Sequence, residues 1–165
     1  LARPWAIPGT PDLMHRIGGI EKEDGSGNIS YDPENHQKMV DLRAAKIAAI
    51  DVPDAEISGD ADATFCMLGW GSTWGAIDAA VERLQKNGKK VAHVHLTHLN
   101  PLPKNLGDVL STFDRVICPE MNDGQLVKLV RAKYLLDVRP VNKMNGVPFT
   151  TAEIESAALQ AMEAS

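Results

Sequence analysis

A run of apolar residues without a polar break, Phe65-Cys66-Met67-Leu68, leads into Gly69-Trp70-Gly71-Ser72-Thr73 and then into Ile77, Ala80, Val81 and Leu84 at helical spacing. A half-exposed strand would alternate apolar and polar residues. A run apolar at every position predicts a strand covered on both faces, as in parallel sheets. Asn87-Gly88 supplies a left-handed cap to the helix, and Val91 to Leu96 reads as a second strand. Arg115 to Cys118 reads as a third and Leu136 to Arg139 as a short fourth. Between them lie a short helix over 104–112 and a helix marked by Leu126, Leu129, Val130 and Tyr134. Thr150 and Glu153 form a capping-box pair for a terminal helix that lines up Ile154, Ala157, Ala158, Ala161 and Met162. Strands alternating with helices predict an α/β fold: three layers, α/β/α, with a mostly parallel sheet of about five strands and one antiparallel strand at an edge.

The first part of the chain is of another kind. Residues 1–60 read as a linker arm with a helix near 33–50, and 61–165 as the α/β domain. The arm holds Gly9, Gly18, Gly19, Gly25 and Gly27, with prolines at 4, 8 and 11, and keeps no period. Yet Trp5, Ile7, Leu13, Ile17 and Ile20 are too apolar for a free linker, so the arm is expected to dock on something, and the chain to dimerise or expose apolar surface. Asp32-Pro33 starts the helix, with Asp32 as cap and Pro33 at the first turn, and it ends near Asp51–Pro53. Residues 54–62 read as an acidic hinge. With Leu1 in place of an initiator Met, the chain reads as the C-terminal piece of a larger protein.

A net charge of −5 argues against a nucleic-acid binder, and no window is apolar enough for a membrane span. The two cysteines, Cys66 and Cys118, each lie in an apolar run, which points to buried thiols in a reducing cytoplasm. Two cysteines cannot supply the four thiolates of an iron–sulfur cluster.

Four groups of residues could carry chemistry. Gly69, Gly71, Ser72 and Thr73 sit between a strand and a helix, where free backbone N–H groups can hold a phosphate or carboxylate. Trp74 breaks the GxGxxG pattern and no Gly-Lys-Ser/Thr follows, so a tight turn with a helix cap explains the same residues. His93, His95 and His98 have the look of a zinc set, but no nearby Cys or carboxylate completes a shell, and strand histidines in a covered sheet meet helices. Glu120-Met121-Asn122 ends the third strand, at the edge where α/β proteins bind ligands, although Asn122 or Asp123 can simply cap the next helix. Glu21, Glu23 and Asp24 lie near His15 and Arg16, a pairing suited to acid/base work or to an interface. There is no G-x-S-x-G elbow and no cysteine placed as a nucleophile.

The order of the pieces carries a resemblance. RPWAIPGT at 3–10, HRIGGIEKEDGSGNIS at 15–30, LGWGST at 68–73, HLNPLPKNLG at 98–107, PEMNDGQL at 119–126 and AKYLLDV at 132–138 together resemble the transketolase C-terminal-like domain in the alpha subunit of 2-oxoacid:ferredoxin oxidoreductases, most closely those acting on 2-oxoglutarate. The resemblance covers nearly the whole chain. It implies a parent enzyme that oxidatively decarboxylates a 2-oxoacid to acyl-CoA, with thiamine diphosphate, Mg²⁺, iron–sulfur clusters, CoA and ferredoxin. It also implies that the diphosphate is held by a partner beta subunit and that the activating glutamate lies in a preceding domain, so no catalytic, cofactor or metal residue maps onto this chain. Its contacts would be with the rest of the alpha subunit and with the beta subunit, through Trp5, Ile7, His15, Arg16, Ile17 and Glu21. Lys22 stands where the family leads one to expect His. On this reading the isolated chain is inactive. The alternative is a free-standing α/β module that binds a small anion at Gly69–Thr73.

Overall fold

A computed structural model describes residues 5–164; Arg3 and Pro4 of the opening motif lie outside the described residues. The chain divides into two units, one ending at Asp51 and one beginning at Val52.

In the first unit, Lys22 and Ile29 form an antiparallel bridge that closes a hairpin. Helix α1 (Pro33–Ala48) starts as expected: the Asp32 carboxylate accepts from the backbone N–H groups of Glu34 (3.3 Å) and Asn35 (3.2 Å). None of its residues is buried. Trp5, Met14, Ile17, Ile20 and Tyr31 stand almost fully exposed, and the described residues of this unit form no buried hydrophobic core.

The second unit is a five-stranded sheet ordered β1-β3-β2-β4-β5. Its strands are β1 (Ile57–Gly59), β2 (Phe65–Trp70), β3 (Val91–Leu96), β4 (Arg115–Glu120) and β5 (Val138–Asn142). Only β1 runs antiparallel, at the edge beside β3. The helices are α2 (Trp74–Lys86), α3 (Leu106–Ser111), α4 (Gln125–Tyr134) and α5 (Thr151–Glu163).

The unbroken apolar run has the predicted cause. Cys66 and Leu68 point into one core with Val94, Leu96, Leu106, Leu110, Leu126 and Val130, on the side of α3 and α4. Phe65 and Met67 point the other way, into a core with Ile77, Leu84 and Ile154 from α2 and α5. Successive side chains of a strand alternate faces, so two covered faces require every residue to be apolar. Each fully buried Leu or Ile contributes roughly 1.5–3 kcal/mol of transfer free energy, so these two cores dominate the stability of the unit.

Three boundaries differ from the reading of the sequence. β1 lies within the segment read as an acidic hinge. It is three residues long and wholly exposed, so it carries no hydrophobic pattern to betray it. It is held from outside its own sequence: the Asn105 side chain accepts from Ala55 N (2.8 Å) and donates to Ala55 O (2.9 Å), and Ser58 Oγ donates to His93 O (3.1 Å). β5 lies two to three residues later than expected, because Leu135 adopts a left-handed conformation that ends α4 and Leu136 then packs on the core as connecting chain. The arm helix stops at Ala48, before Asp51–Pro53. The Thr150–Glu153 capping box is formed, with Glu153 N donating to Thr150 Oγ1 (3.2 Å) and Thr150 N to Glu153 Oε2 (2.7 Å). No described helix is long and apolar enough to cross a membrane.

Candidate functional site

Strands β2 and β4 pair over three residues only, Phe65–Met67 against Arg115–Ile117. Both continue for three more residues, to Trp70 and Glu120, paired with β3 and β5 on their outer sides but not with each other. Their carboxyl ends therefore part. This is also where the topology switches, since the chain leaves β2 for β3 on one side and β4 lies on the other. Open α/β sheets bind ligands at such a crevice. Here it is a cleft of about 190 Å³ lined by Trp70, Gly71, Ser72, Thr73, Met121 and Asn122. Two groups weighed separately in the sequence, Gly69–Thr73 and Glu120–Asn122, are thus brought together.

One side chain organises the cleft. Glu120 is fully buried at the end of β4. Its Oε1 accepts from Trp70 Nε1 (3.2 Å), Asn122 Nδ2 (3.2 Å) and Leu126 N (2.9 Å), and its Oε2 accepts from Val127 N (3.2 Å). Two of these donors are backbone groups of the first turn of α4, which have no partner within the helix. Asn122 Oδ1 serves a third, Gln125 N, at 2.8 Å. The capping role foreseen for Asn122 or Asp123 is therefore divided between Asn122 and Glu120, while Asp123 pairs with Lys128 (3.1 Å). Nothing local in the sequence marks Glu120 as the tether of Trp70, fifty positions away.

On the β2 side, the Thr73 hydroxyl is committed to Trp70: it donates to Trp70 O (2.8 Å) and accepts from Trp70 N (3.3 Å). Gly71 takes φ +57°, in the left-handed region where glycine is favoured, and a side chain there would meet open space. Gly69 is a different case. A Cβ on it would lie 2.6 Å from Ile77 Cδ1 and 2.9 Å from His95 Nδ1, so its glycine keeps room for the histidines of the neighbouring strand. Ser72 is exposed.

His93 and His95 share one face of β3, as the strand period requires, with ring centroids 5.4 Å apart in an edge-to-face arrangement. His98 is exposed in the following loop. Among the described residues, no three His, Cys, Asp or Glu side chains are grouped as metal ligands. His93 is 1% exposed and neither ring nitrogen has a hydrogen-bond partner. Burial, and then the neighbouring His95, push its pKa down to about 4. The Asp78 carboxylate stands 3.9 Å from His93 Nδ1, too far for a hydrogen bond, and does not offset the burial. His95 is lowered too, by burial, against a hydrogen bond with the Gly71 backbone that works the other way.

In the arm, the histidine that meets Glu21 is His36 of α1 (2.9 Å), not His15. The Arg43 guanidinium (3.0 Å) and then His36 hold the Glu21 carboxyl down at about 2. A carboxyl so lowered is a poor proton acceptor at neutral pH. Asp24 pairs with Lys38 (2.8 Å) and Glu23 accepts from the Ser26 hydroxyl. Trp5, Ile7, His15, Arg16 and Ile17 are exposed.

The groups implied for the parent enzyme do not fit the residues present. Cys66 and Cys118 are buried in the sheet. Burial pushes the Cys66 thiol up to about 12 and Cys118 well above its ordinary value, so neither offers a thiolate to a cluster. No diphosphate-binding GDG motif occurs in the sequence.

Comparison with known proteins gives the family. Residues 63–154 match the pyruvate:ferredoxin oxidoreductase core domain II. The chain belongs to this family. It is 54% identical, over 155 residues and 93% of its length, to the 2-oxoglutarate oxidoreductase subunit KorA of Mycobacterium tuberculosis. It is 40% identical over 119 residues to the alpha subunit of 2-oxoacid:ferredoxin oxidoreductase 1 of Aeropyrum pernix, covering 67% of this chain and 19% of that one. A solved 2-oxoglutarate:ferredoxin oxidoreductase from Magnetococcus marinus, with 2-oxoglutarate, coenzyme A and succinyl-CoA bound, superposes with a TM-score of 0.83 at 31% identity, over 97% of this chain and 29% of that chain. The core domain II chain spans about a quarter of the length of the curated relatives it matches, 24% of KorA. The family and the α/β fold expected from the motifs are those observed.

Proposed function

We propose that this core domain II is part of the alpha subunit of a 2-oxoglutarate:ferredoxin oxidoreductase, which oxidatively decarboxylates its 2-oxoacid to the acyl-CoA and passes electrons to ferredoxin. The observation that carries the reading is the 54% identity to the M. tuberculosis subunit, which extends over 93% of the chain and so covers more than the matched domain. The domain contributes structure and subunit contacts. Thiamine diphosphate, Mg²⁺ and iron–sulfur clusters belong to the rest of the alpha subunit and to the beta subunit, and CoA and ferredoxin are partners of the whole assembly. Two observations support a non-catalytic role. The buried polar groups at the cleft are spent on holding α4 and Trp70, and the exposed apolar residues of the arm ask for a partner surface. Buried reduced thiols at Cys66 and Cys118 suit the cytoplasm.

A second reading is favoured by the cleft alone: a free-standing module that binds a small anion at Gly69, Gly71, Ser72 and Thr73. One experiment separates the two. The matched segment of the M. tuberculosis subunit is replaced by this chain, and 2-oxoglutarate- and CoA-dependent ferredoxin reduction is measured. The first reading expects turnover within about tenfold of the parent, kept in a Ser72→Asp version, whose added charge would repel an anion there, and none from the chain alone. A folded chimera without turnover contradicts it, and loss of turnover in Ser72→Asp alone favours the second.

A further inference from the structure

We infer that Asn145, on the turn between β5 and α5, is a site of spontaneous deamidation, and that Asn87, the other asparagine followed by glycine, is not. Both pairs, Asn87-Gly88 and Asn145-Gly146, are exposed, so exposure does not separate them. Their hydrogen bonds do.

The reaction is internal to the chain. The Gly146 amide nitrogen gives its proton to water and attacks Cγ of Asn145. The Cγ–Nδ2 bond breaks, Nδ2 leaves as ammonia, and a cyclic imide remains. Water then opens the imide at either carbonyl and leaves an aspartyl or an iso-aspartyl residue at position 145. Amide and water become carboxylate and ammonium, and no oxidant or cofactor is consumed. Glycine favours the attack because it has no Cβ to crowd the nitrogen.

At the first pair the attacking nitrogen is held. Gly88 N donates to Gln85 O (2.9 Å), and Asn87 N and Lys89 N both donate to Leu84 O (3.1 and 3.0 Å). The pair is thus locked into the C-terminal cap of α2. At the second pair, among the described residues, no hydrogen bond holds Gly146 N or Asn145 Nδ2, so the nucleophile and the leaving group are both free. Asn145 Oδ1 accepts from Val147 N (3.1 Å), which polarises the amide and makes Cγ a better electrophile.

The turn can also move without cost to the core. Lys143 holds its two ends: Lys143 N donates to Glu120 O (2.9 Å), and its Nζ donates to Pro148 O (3.0 Å) and to Glu153 (2.7 Å). Residues 144–148 lie exposed between these anchors, so the tip can reach the attack geometry while Val141 and Ile154 stay packed. Each event adds one negative charge to a chain of net charge −5. The aspartyl product keeps an acceptor for Val147 N, whereas the iso-aspartyl product forces an extra backbone carbon into a loop whose ends are fixed. The turn belongs to the second unit, and its chemistry does not depend on the activity proposed above.

The test is peptide mapping by mass spectrometry of the 165-residue chain, and of the folded chimeric subunit that carries it, after incubation at neutral and mildly alkaline pH. In both, the peptide holding Asn145 should gain about one mass unit and resolve into two products. It should convert at least about tenfold faster than the peptide holding Asn87, whose glycine N–H must first leave its partner. Conversion should quicken as the pH rises, because the attack needs the deprotonated nitrogen. Asn145→Ser keeps an acceptor for Val147 N and should abolish the mass gain, while Asn87→Ser should leave it unchanged. Circular dichroism checks that both variants keep their fold. Asn145 is not the site if it stays intact in either protein, if Asn87 converts as fast, or if Asn145→Ser leaves the mass gain in place.

Discussion

Glu120→Ala loses on the order of 4 kcal/mol of stability, a large part of what a domain of this size possesses. The substitution removes one carboxylate but strands four donors: the Trp70 indole N–H, the Asn122 amide and the backbone N–H groups of Leu126 and Val127. A buried donor left without a partner costs about 1–3 kcal/mol, and water entering the cleft recovers part of this. The loss reaches both elements that meet at the cleft, since the same carboxylate starts α4 and fixes the end of β2. Glu120→Gln keeps one acceptor oxygen and turns an NH₂ group toward the remaining donors, so it falls between. Urea unfolding followed by circular dichroism reads the effect as a lower midpoint at unchanged slope. An alanine variant within about 1 kcal/mol of the parent would show that Glu120 is not the tether described here.

The domain loses stability as the pH falls from 7 toward 4, and His93 carries the larger share. Its pKa is about 4 in the fold and near 6.5 when unfolded, because burial disfavours the imidazolium. Between those values the unfolded chain binds the extra proton, so unfolding is favoured as protons are added. The contribution is fully present above about pH 6.5, falls by about 2 kcal/mol at pH 5, and by roughly 3 kcal/mol once pH 4 is passed. His95, lowered in the same direction, adds to it. The charged or titratable neighbours facing His93 are His95 on the same strand and Asp78 from α2. Glu21 and Glu153, both held at about 2, act in a separate and more acid window, lost as the pH falls from the ordinary carboxylate range toward 2. The check is chemical denaturation at intervals between pH 4 and 7. His93→Leu should flatten that slope and raise stability at pH 5, since it replaces a buried, unpartnered imidazole by an apolar group of similar size. A slope unchanged by His93→Leu would place the acid sensitivity elsewhere.

What the sequence makes legible follows the range of the forces involved. The run 65–68, the helical spacing of Ile77 to Leu84 and the Thr150–Glu153 pair act over a few residues, and their elements form where the pattern places them. β1 escapes because its support is a clamp from Asn105 and a pairing with β3, neither of which leaves a local trace. The start of β5 shifts because a left-handed Leu135 ends α4, and leucine gives no warning of a conformation usually reserved for glycine or asparagine. The cleft is partly legible. Both of its loops stand out as strand-to-helix turns, but their convergence depends on β2 and β4 being neighbours and on their short pairing. The partners of Glu21 are hidden for the same reason: Arg43 lies 22 positions on, across a hairpin and a helix.

The proposal that this domain packs within a larger oxidoreductase is tested by assembly. The chain is produced together with the rest of the M. tuberculosis alpha subunit, lacking its matched segment, and with the partner subunit, and the mixture is resolved by size-exclusion chromatography with light scattering. One complex containing all three is expected. Replacing the exposed Ile7 and Ile20 of the arm by Asp should release the chain as a folded, separate species. A folded, unaltered chain that elutes alone, or a double variant that assembles as well as the parent, would contradict it.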